Sequence, residues 1–356
     1  MGRRLLRVRA AAVLVVALTG AAGCSSVGDD AAEVTVTNQA PAPSGAETTT
    51  TAVAESSEQT ATTAGATTVP PTTTSTIAVP PLDEDRPVGA LVTPTGVVVP
   101  VTGGEAGAWQ VETPCGVAAT VTGGEPVRAA HVVLDPGHGG DELGAVGPTG
   151  LEEKQVNLEV SEAAARQLRD LGFSVVLTRT TDLRMTLATR AEIANRLDAG
   201  VFISVHHNAE PDEAWPGPGS ETYYQIASED SKRLAGLLWE ELVAALEPFD
   251  VAWSADTDAG AKYRLASSGG DYYGVLRRTA GVPAVLSEAL FVSQPEEEAL
   301  LRRPEAIEAE AQAITDTVVR FFTTDDPGTG FTEPYPRTTP AGPGGGASGC
   351  TDPPLE

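Results

Sequence analysis

Three short runs of this 356-residue chain carry side chains that could do chemistry together. His138 stands in Asp-Pro-Gly-His-Gly-Gly at 135–140, His206 and His207 stand in Ser-Val-His-His-Asn at 204–208, and Glu288 closes Ala-Val-Leu-Ser-Glu at 284–288. Glu152 and Glu153 open the run that follows the first of these. Two imidazoles, one carboxylate and an open position make a catalytic zinc shell, whereas a structural site closes all four positions. With three Cys in the whole chain, thiolate shells are out of reach. Neighbouring residues of a strand face opposite ways, so His206 and His207 cannot both serve one metal. The fourth histidine, His131, is expected to begin a strand and do no chemistry.

The elements that must position these groups alternate. Apolar, β-branched runs at 132–135, 173–178, 201–205, 221–226 and 283–286 predict strands. Helical spacing covers 152–170 through Val156, Val160, Ala164, Leu168 and Leu171, and then 186–197, 234–246, 273–279 and 296–322. That alternation predicts an α/β three-layer sandwich, a mainly parallel twisted sheet with helices on both faces, over 130–323. Right-handed crossovers then bring the strand C-terminal ends, and with them His138, His206 and Glu288, to the one edge where such sheets bind ligands. Upstream, 86–129 reads as a small β-hairpin cap. Val-Thr-Gly-Gly-Glu occurs at 101–105 and again at 121–125, and Gly pairs suit tight turns, so about four strands in two hairpins are expected. Cys115 lies in this cap and Cys350 in the tail. A bridge between them would staple the tail to the cap, and the sequence leaves open whether it forms.

The ends and the charge bound the setting. Arg3, Arg4, Arg7 and Arg9 precede an apolar run from Ala10 to about Ala22 and then Cys24, so 1–24 reads as a signal peptide with a lipobox-like end. Either lipidation at Cys24 anchors the protein to a membrane or the protein is secreted, and both are extracytoplasmic. Residues 25–85, rich in Thr, Ala, Ser and Pro without Lys or Arg, are expected to be a disordered tether. The Pro/Gly-rich 324–356 is expected to be a disordered tail. A net charge of −26 argues against nucleic acid as a partner and against simple adhesion to an anionic lipid or wall, so any such contact must come from an anchor or a specific pocket.

Taken in order, these motifs resemble a known family. Leu134-Asp-Pro-Gly-His-Gly-Gly140, Gly144-Ala-Val-Gly147, Glu153-Lys154, Val156-Asn-Leu158, Leu177-Thr-Arg179, Arg190 with Ala194-Asn195, Phe202-Ile-Ser-Val-His206 with Asn208, and Pro283-Ala-Val-Leu286 with Glu288 resemble the zinc-dependent N-acetylmuramoyl-L-alanine amidases called amidase 3. The resemblance covers about 130–322. It implies one Zn2+ held by His138, Glu153 and His206, with Glu288 as the catalytic carboxylate. It further implies peptidoglycan as substrate, cut between N-acetylmuramic acid and L-alanine in wall remodelling or daughter-cell separation. A monomer is expected, with a protein regulator left unidentified. Asp135 is a candidate to fix a ligand tautomer, and His207 is expected to be a flanking or substrate-side residue. The chain departs from the family pattern at Glu142, Leu290 and Gln294. Two other readings stay open: a non-catalytic murein-binding or regulatory homologue, and a zinc peptidase cutting within the stem peptide.

Overall fold

The computed structural model describes residues 77–211, 213–267, 269–333 and 345–356. The expected signal peptide with Cys24, and the tether as far as residue 76, lie outside the described residues.

The cap comes first: β1 (Ala90–Val92), β2 (Val98–Gly103), β3 (Trp109–Glu112), β4 (Ala118–Val121) and β5 (Glu125–Val127). They form one antiparallel sheet in the order β4-β3-β2-β1-β5. Three hairpins stand where two were expected: the first Val-Thr-Gly-Gly-Glu lies at the β2–β3 turn, and the β1–β2 and β3–β4 turns are copies of each other. In Thr-Pro-Thr-Gly-Val at 93–97 and Thr-Pro-Cys-Gly-Val at 113–117 the Thr hydroxyl accepts from the Val97 and Val117 N–H at 3.1 and 3.0 Å, the local bond that makes Thr a turn residue. The second Val-Thr-Gly-Gly-Glu makes no hairpin. It carries the chain across to β5, which covers the edge of β1 that would otherwise leave its ladder groups unpaired.

The described ends of both flanking segments pack on the fold. Ile77 and Val79, at the end of the tether, pack on the core, and the Pro80 carbonyl accepts from His131 Nε2 at 2.6 Å. Because His131 Nδ1 accepts from the Ser174 N–H, its ring is fully used in structure. Residues 345–356 lie along the two cap turns. Cys350 is bridged to Cys115, Asp352 accepts from the Cys115 N–H and the Thr113 hydroxyl at 2.8 Å each, and the Pro354 carbonyl accepts from Thr95 Oγ1 at 2.7 Å. Composition predicted disorder because this stretch has little to bury; a covalent bond and polar contacts order it instead. The bridge closes a separation of 235 residues. Replacing both cysteines by Ser is expected to cost about 2–4 kcal/mol of unfolding free energy. Urea unfolding of the variant beside the oxidised protein measures this, and coincident midpoints would contradict it.

The second half continues β6 (Val132–Pro136), α1 (Glu153–Asp170), β7 (Val175–Leu177), α2 (Leu187–Leu197), β8 (Val201–Asn208), β9 (Glu213–Trp215), β10 (Glu221–Tyr224), α3 (Glu229–Leu246), β11 (Trp253–Ala255), β12 (Gly260–Lys262), α4 (Gly274–Arg278), β13 (Ala284–Phe291), α5 (Pro295–Leu301) and α6 (Pro304–Thr323). Six strands pair as β12-β10-β13-β8-β6-β7. The four from β7 to β13 are parallel, β10 is antiparallel to β13, and β12 is parallel to β10. The central strands are buried on both faces, which is why they read as unbroken apolar runs. Val132, Leu134, Ile203 and Val285 join the core beneath α1, α3 and α6. Val133, Phe202 and Leu286 join a second core shared by α2, α4 and the cap.

Three local differences from expectation have simple causes. Pro304, with no N–H to give, splits the helix expected over 296–322 into α5 and α6. Leu171 is not on the buried stripe of α1; it is the C-cap and is exposed. The ribbon of β9 with β11, and β12, were missed because three-residue strands carry no periodicity to detect.

Candidate metal centre and active site

Past β6 the chain turns sharply, and His138 takes φ +59°, a conformation that costs a non-glycine residue energy unless its surroundings impose it. Two buried arginines impose it. Arg190 of α2 donates to Asp135 Oδ1 (2.8 Å), the Pro136 carbonyl (2.7 Å) and the His138 carbonyl (2.6 Å). Arg179, just beyond β7, donates to the Pro136 and Gly137 carbonyls, both at 2.9 Å, and to the Lys154 carbonyl at 2.7 Å. Asp135 also accepts from Thr178 Oγ1 and Ser204 Oγ. Burial pushes its carboxyl up, but the Arg190 charge and these donors outweigh burial and hold it below the ordinary carboxylate value. Asp135 therefore bonds Arg190, Thr178 and Ser204 rather than an imidazole. It anchors the loop, and the expectation that it sets a ligand tautomer is corrected.

The loop must lack side chains where its neighbours approach. A Cβ on Gly137 would lie 2.2 Å from His206 Cε1, and one on Gly144, at φ +72°, would lie 2.3 Å from Glu153 Oε2. Into this cradle come His138 from the loop, Glu153 from the first turn of α1 and His206 from the end of β8. Their ligand atoms lie within 4.8 Å of one another. His138 Nε2 is 3.2 Å from Glu153 Oε2, and His206 Nδ1 is 3.0 Å from Glu153 Oε1. The rings meet edge to face and line a cavity of about 400 Å³, while Glu153 is buried behind them. Glu153 is held from the protein side by the Ala145 N–H at 2.8 Å and by the His207 N–H and Asn157 Nδ2, both at 3.2 Å. Burial would raise its pKa, yet the hydrogen bonds and charges of the two histidines set it well below the usual range. Burial leads in lowering the His206 pKa, which favours the neutral imidazole that a metal requires. Two imidazole nitrogens and a carboxylate oxygen, converging on open space and braced behind, fit a zinc ion.

The other expected residues fall into place around this group. Glu288 on β13 is in register with His206 on β8 and with Glu221 on β10, so it sits beside the triad on the same face of the sheet. Glu152 pairs with Lys154 at 3.4 Å instead of joining the triad. His207 points the other way. It is buried against α1 and α6, where Nδ1 meets Asn157 Oδ1 at 2.8 Å and Nε2 meets Glu310 Oε2 at 3.0 Å, so it is no substrate-side residue. Burial alone would lower the His207 pKa, but the Glu310 carboxylate outweighs it and raises the ring above its ordinary value.

Sequence reasoning missed two features here. One is Glu310, whose signal was available: it sits between Ile307 and Ile314 on the buried stripe of α6, where a carboxylate needs a reason. The other is the tail. Gly345 donates its N–H to Glu142 Oε1 at 2.9 Å, accepts from the Leu187 N–H at 3.0 Å, and with Leu187 lines the cavity beside His138. Glu142, a departure from the family pattern, is thus the residue that receives the tail. Leu290 is in the core, and Gln294 is the N-cap of α5. A second acidic group, Glu221, Asp256 and Asp258, is interleaved with cations: Lys262 contacts Glu221 and lies 2.9 Å from Asp258, and Arg264 lies 3.5 Å from Asp258. It is an ion network of three carboxylates and two cations that commits Glu221 to structure. A separate cavity of about 500 Å³, near Asp230 and Arg277, lies at the opposite end of the parallel strands.

Residues 132–320 match the family Amidase_3, N-acetylmuramoyl-L-alanine amidase, and the chain belongs to it. Its reaction is hydrolysis of the amide between N-acetylmuramic acid and L-alanine in peptidoglycan. The chain is 32% identical over 200 residues to the uncharacterized protein YqiI of Bacillus subtilis, covering 56% of this chain and 87% of that one. It is 31% identical over 213 residues to the germination-specific N-acetylmuramoyl-L-alanine amidase of the same organism, covering 56% and 82%. Against the amidase LytC, also of Bacillus subtilis, it is 32% identical over 199 residues, which is 55% of this chain and 36% of LytC.

Proposed function

We propose that His138, Glu153 and His206 hold a single zinc ion and that Glu288 is the catalytic carboxylate, so that the chain cuts peptidoglycan during wall remodelling or daughter-cell separation. The observation that supports this reading is the convergence of two imidazoles and a carboxylate within 4.8 Å, in a cavity beside a fourth side chain in register with one of them. A bound zinc would supply Lewis acidity at the scissile carbonyl. Glu288 takes a proton from the attacking water as the new C–O bond forms, and returns it to the L-alanine nitrogen as the C–N bond breaks. Arg179 and Arg190 hold the His138 loop in its strained turn throughout. The wall of Leu187 and Gly345 limits how the glycan and stem approach. On this reading the protein works outside the cytoplasm as a monomer, either anchored through a lipid at Cys24 or secreted, with any protein regulator unidentified; among the described residues no helix is long and apolar enough to cross a membrane.

The full chain incubated with purified peptidoglycan is expected to release intact stem peptides with a free L-alanine amine. That release is lost on chelation and in Glu153→Ala. Binding without release would favour the non-catalytic reading, and new termini inside the stem would favour a peptidase.

A further inference from the structure

His207 and Glu310 make a buried polar pair that the hydrolytic reaction does not use, and the pair leads to the metal centre. His207 is 2% exposed and Glu310 1%. Glu310 Oε1 has no hydrogen-bond partner among the described residues, so the carboxylate is only half satisfied. A buried ion pair is a weak source of stability, and apolar side chains of similar volume commonly do as well or better. A carboxylate retained among Ile307, Ala311 and Ile314 therefore calls for another explanation.

The hydrogen bonds supply one. Asn157 Nδ2 faces two acceptors, the Gly137 carbonyl at 3.3 Å and Glu153 Oε1 at 3.2 Å. That fixes which end of the amide is nitrogen. Asn157 Oδ1 must then face His207 Nδ1, at 2.8 Å, and that ring nitrogen must donate. The opposite ring nitrogen is held by Glu310 Oε2 at 3.0 Å. The chain Glu310–His207–Asn157–Glu153 thus runs from α6 through β8 and α1 without a break. Its first member is on the last helix of the fold, more than a hundred residues from the ligand.

We propose that Asn157, His207 and Glu310 form a positioning relay that sets the rotamer of Glu153 and so tunes the metal centre; this rests on the reading of His138, Glu153 and His206 as metal ligands. Asn157 holds Oε1 from the protein side. His207, clamped at its far end by Glu310, keeps the Asn157 amide from turning over. Partners behind a ligand usually affect metal affinity by about 10–100-fold.

The test is zinc affinity of the full chain, measured by competition with a chromophoric chelator, together with the visible spectrum of the Co2+-loaded protein. Asn157→Leu is expected to weaken zinc binding about 10–100-fold and to shift the Co2+ bands. Glu310→Leu should weaken it in the same direction, and Glu310→Gln, which keeps a polar partner for the ring, should restore most of the affinity. In the double variant Asn157→Leu/Glu310→Leu, the second change should add nothing, because Glu310 acts through Asn157. Should Glu310→Leu not fold, Glu310→Ala and Asn157→Ser carry the same comparison. Unchanged affinity and spectrum in Glu310→Leu, or fully additive losses, would overturn the relay. Failure of the underlying reading looks different: the unaltered chain would bind no zinc, or Glu153→Ala would bind it equally well.

Discussion

Glu288→Gln is expected to lower kcat on peptidoglycan by about 10²- to 10⁴-fold, the usual worth of a positioned proton-transfer group, while zinc content stays that of the unaltered protein. Gln keeps the shape of the side chain and its place on β13 but cannot take up a proton. The register makes the assignment specific: Glu288 stands directly beside His206, and its other strand neighbour, Glu221, is buried and tied to Lys262. Glu221 is thus committed to the ion network, which leaves Glu288 as the carboxylate next to the triad on that face. Assaying release of stem peptides, with zinc measured on the same sample, decides the point. Near-normal turnover in Glu288→Gln would remove it from the reaction.

The second large effect is structural. Arg190→Met is expected to destabilise the protein by about 3–5 kcal/mol at pH 7, because Asp135 is left buried and charged without its cation. Arg190 also holds the His138 carbonyl, so the loss reaches the metal centre as a weaker hold on the ligand loop. The pH dependence has a definite sign. The folded pKa of Asp135 lies below the ordinary value of about 3.9. Its contribution is therefore complete above that value and is lost as pH falls through the folded pKa. In Arg190→Met the carboxyl becomes easier to protonate, so the gap between variant and parent should narrow as pH is lowered towards 4. Adding Asp135→Asn should recover part of the loss at pH 7. Urea unfolding at the two pH values measures all of this. A gap below about 1 kcal/mol at pH 7 would show that Asp135 is not the buried charge that the 3–5 kcal/mol figure supposes.

Much of the site was legible before the fold was known, and the reason is local. His138, His206 and Glu288 each come after an apolar run that is buried on both faces of a parallel sheet, so strand and edge could be read from a few consecutive residues, although β8 and β13 run on to Asn208 and Phe291. Helix spacing narrowed the carboxylate to Glu152 or Glu153, and the resemblance to the family's Glu-Lys pair chose Glu153. The opposition of His206 and His207 followed from the two-residue period of a strand, although the chemistry on the far side of that strand did not.

What stayed hidden depends on partners far away in the chain. Whether Asp135 meets an imidazole or Arg190 is decided by where α2 packs, and whether His207 meets substrate or Glu310 is decided by where α6 packs. The fifth cap strand pairs with the first, and the tail that the Cys115–Cys350 bridge fastens to the cap places Gly345 on the metal cavity though its composition predicted disorder. Periodicity and turn chemistry act over a few residues, so the amino-acid sequence by itself determined the longer strands and helices and, through the order of its family-like motifs, the four proposed residues of the site. Only the tertiary structure decided what braces them, because a buried hydrogen bond or ion pair is chosen by proximity between elements, and no local pattern encodes that proximity.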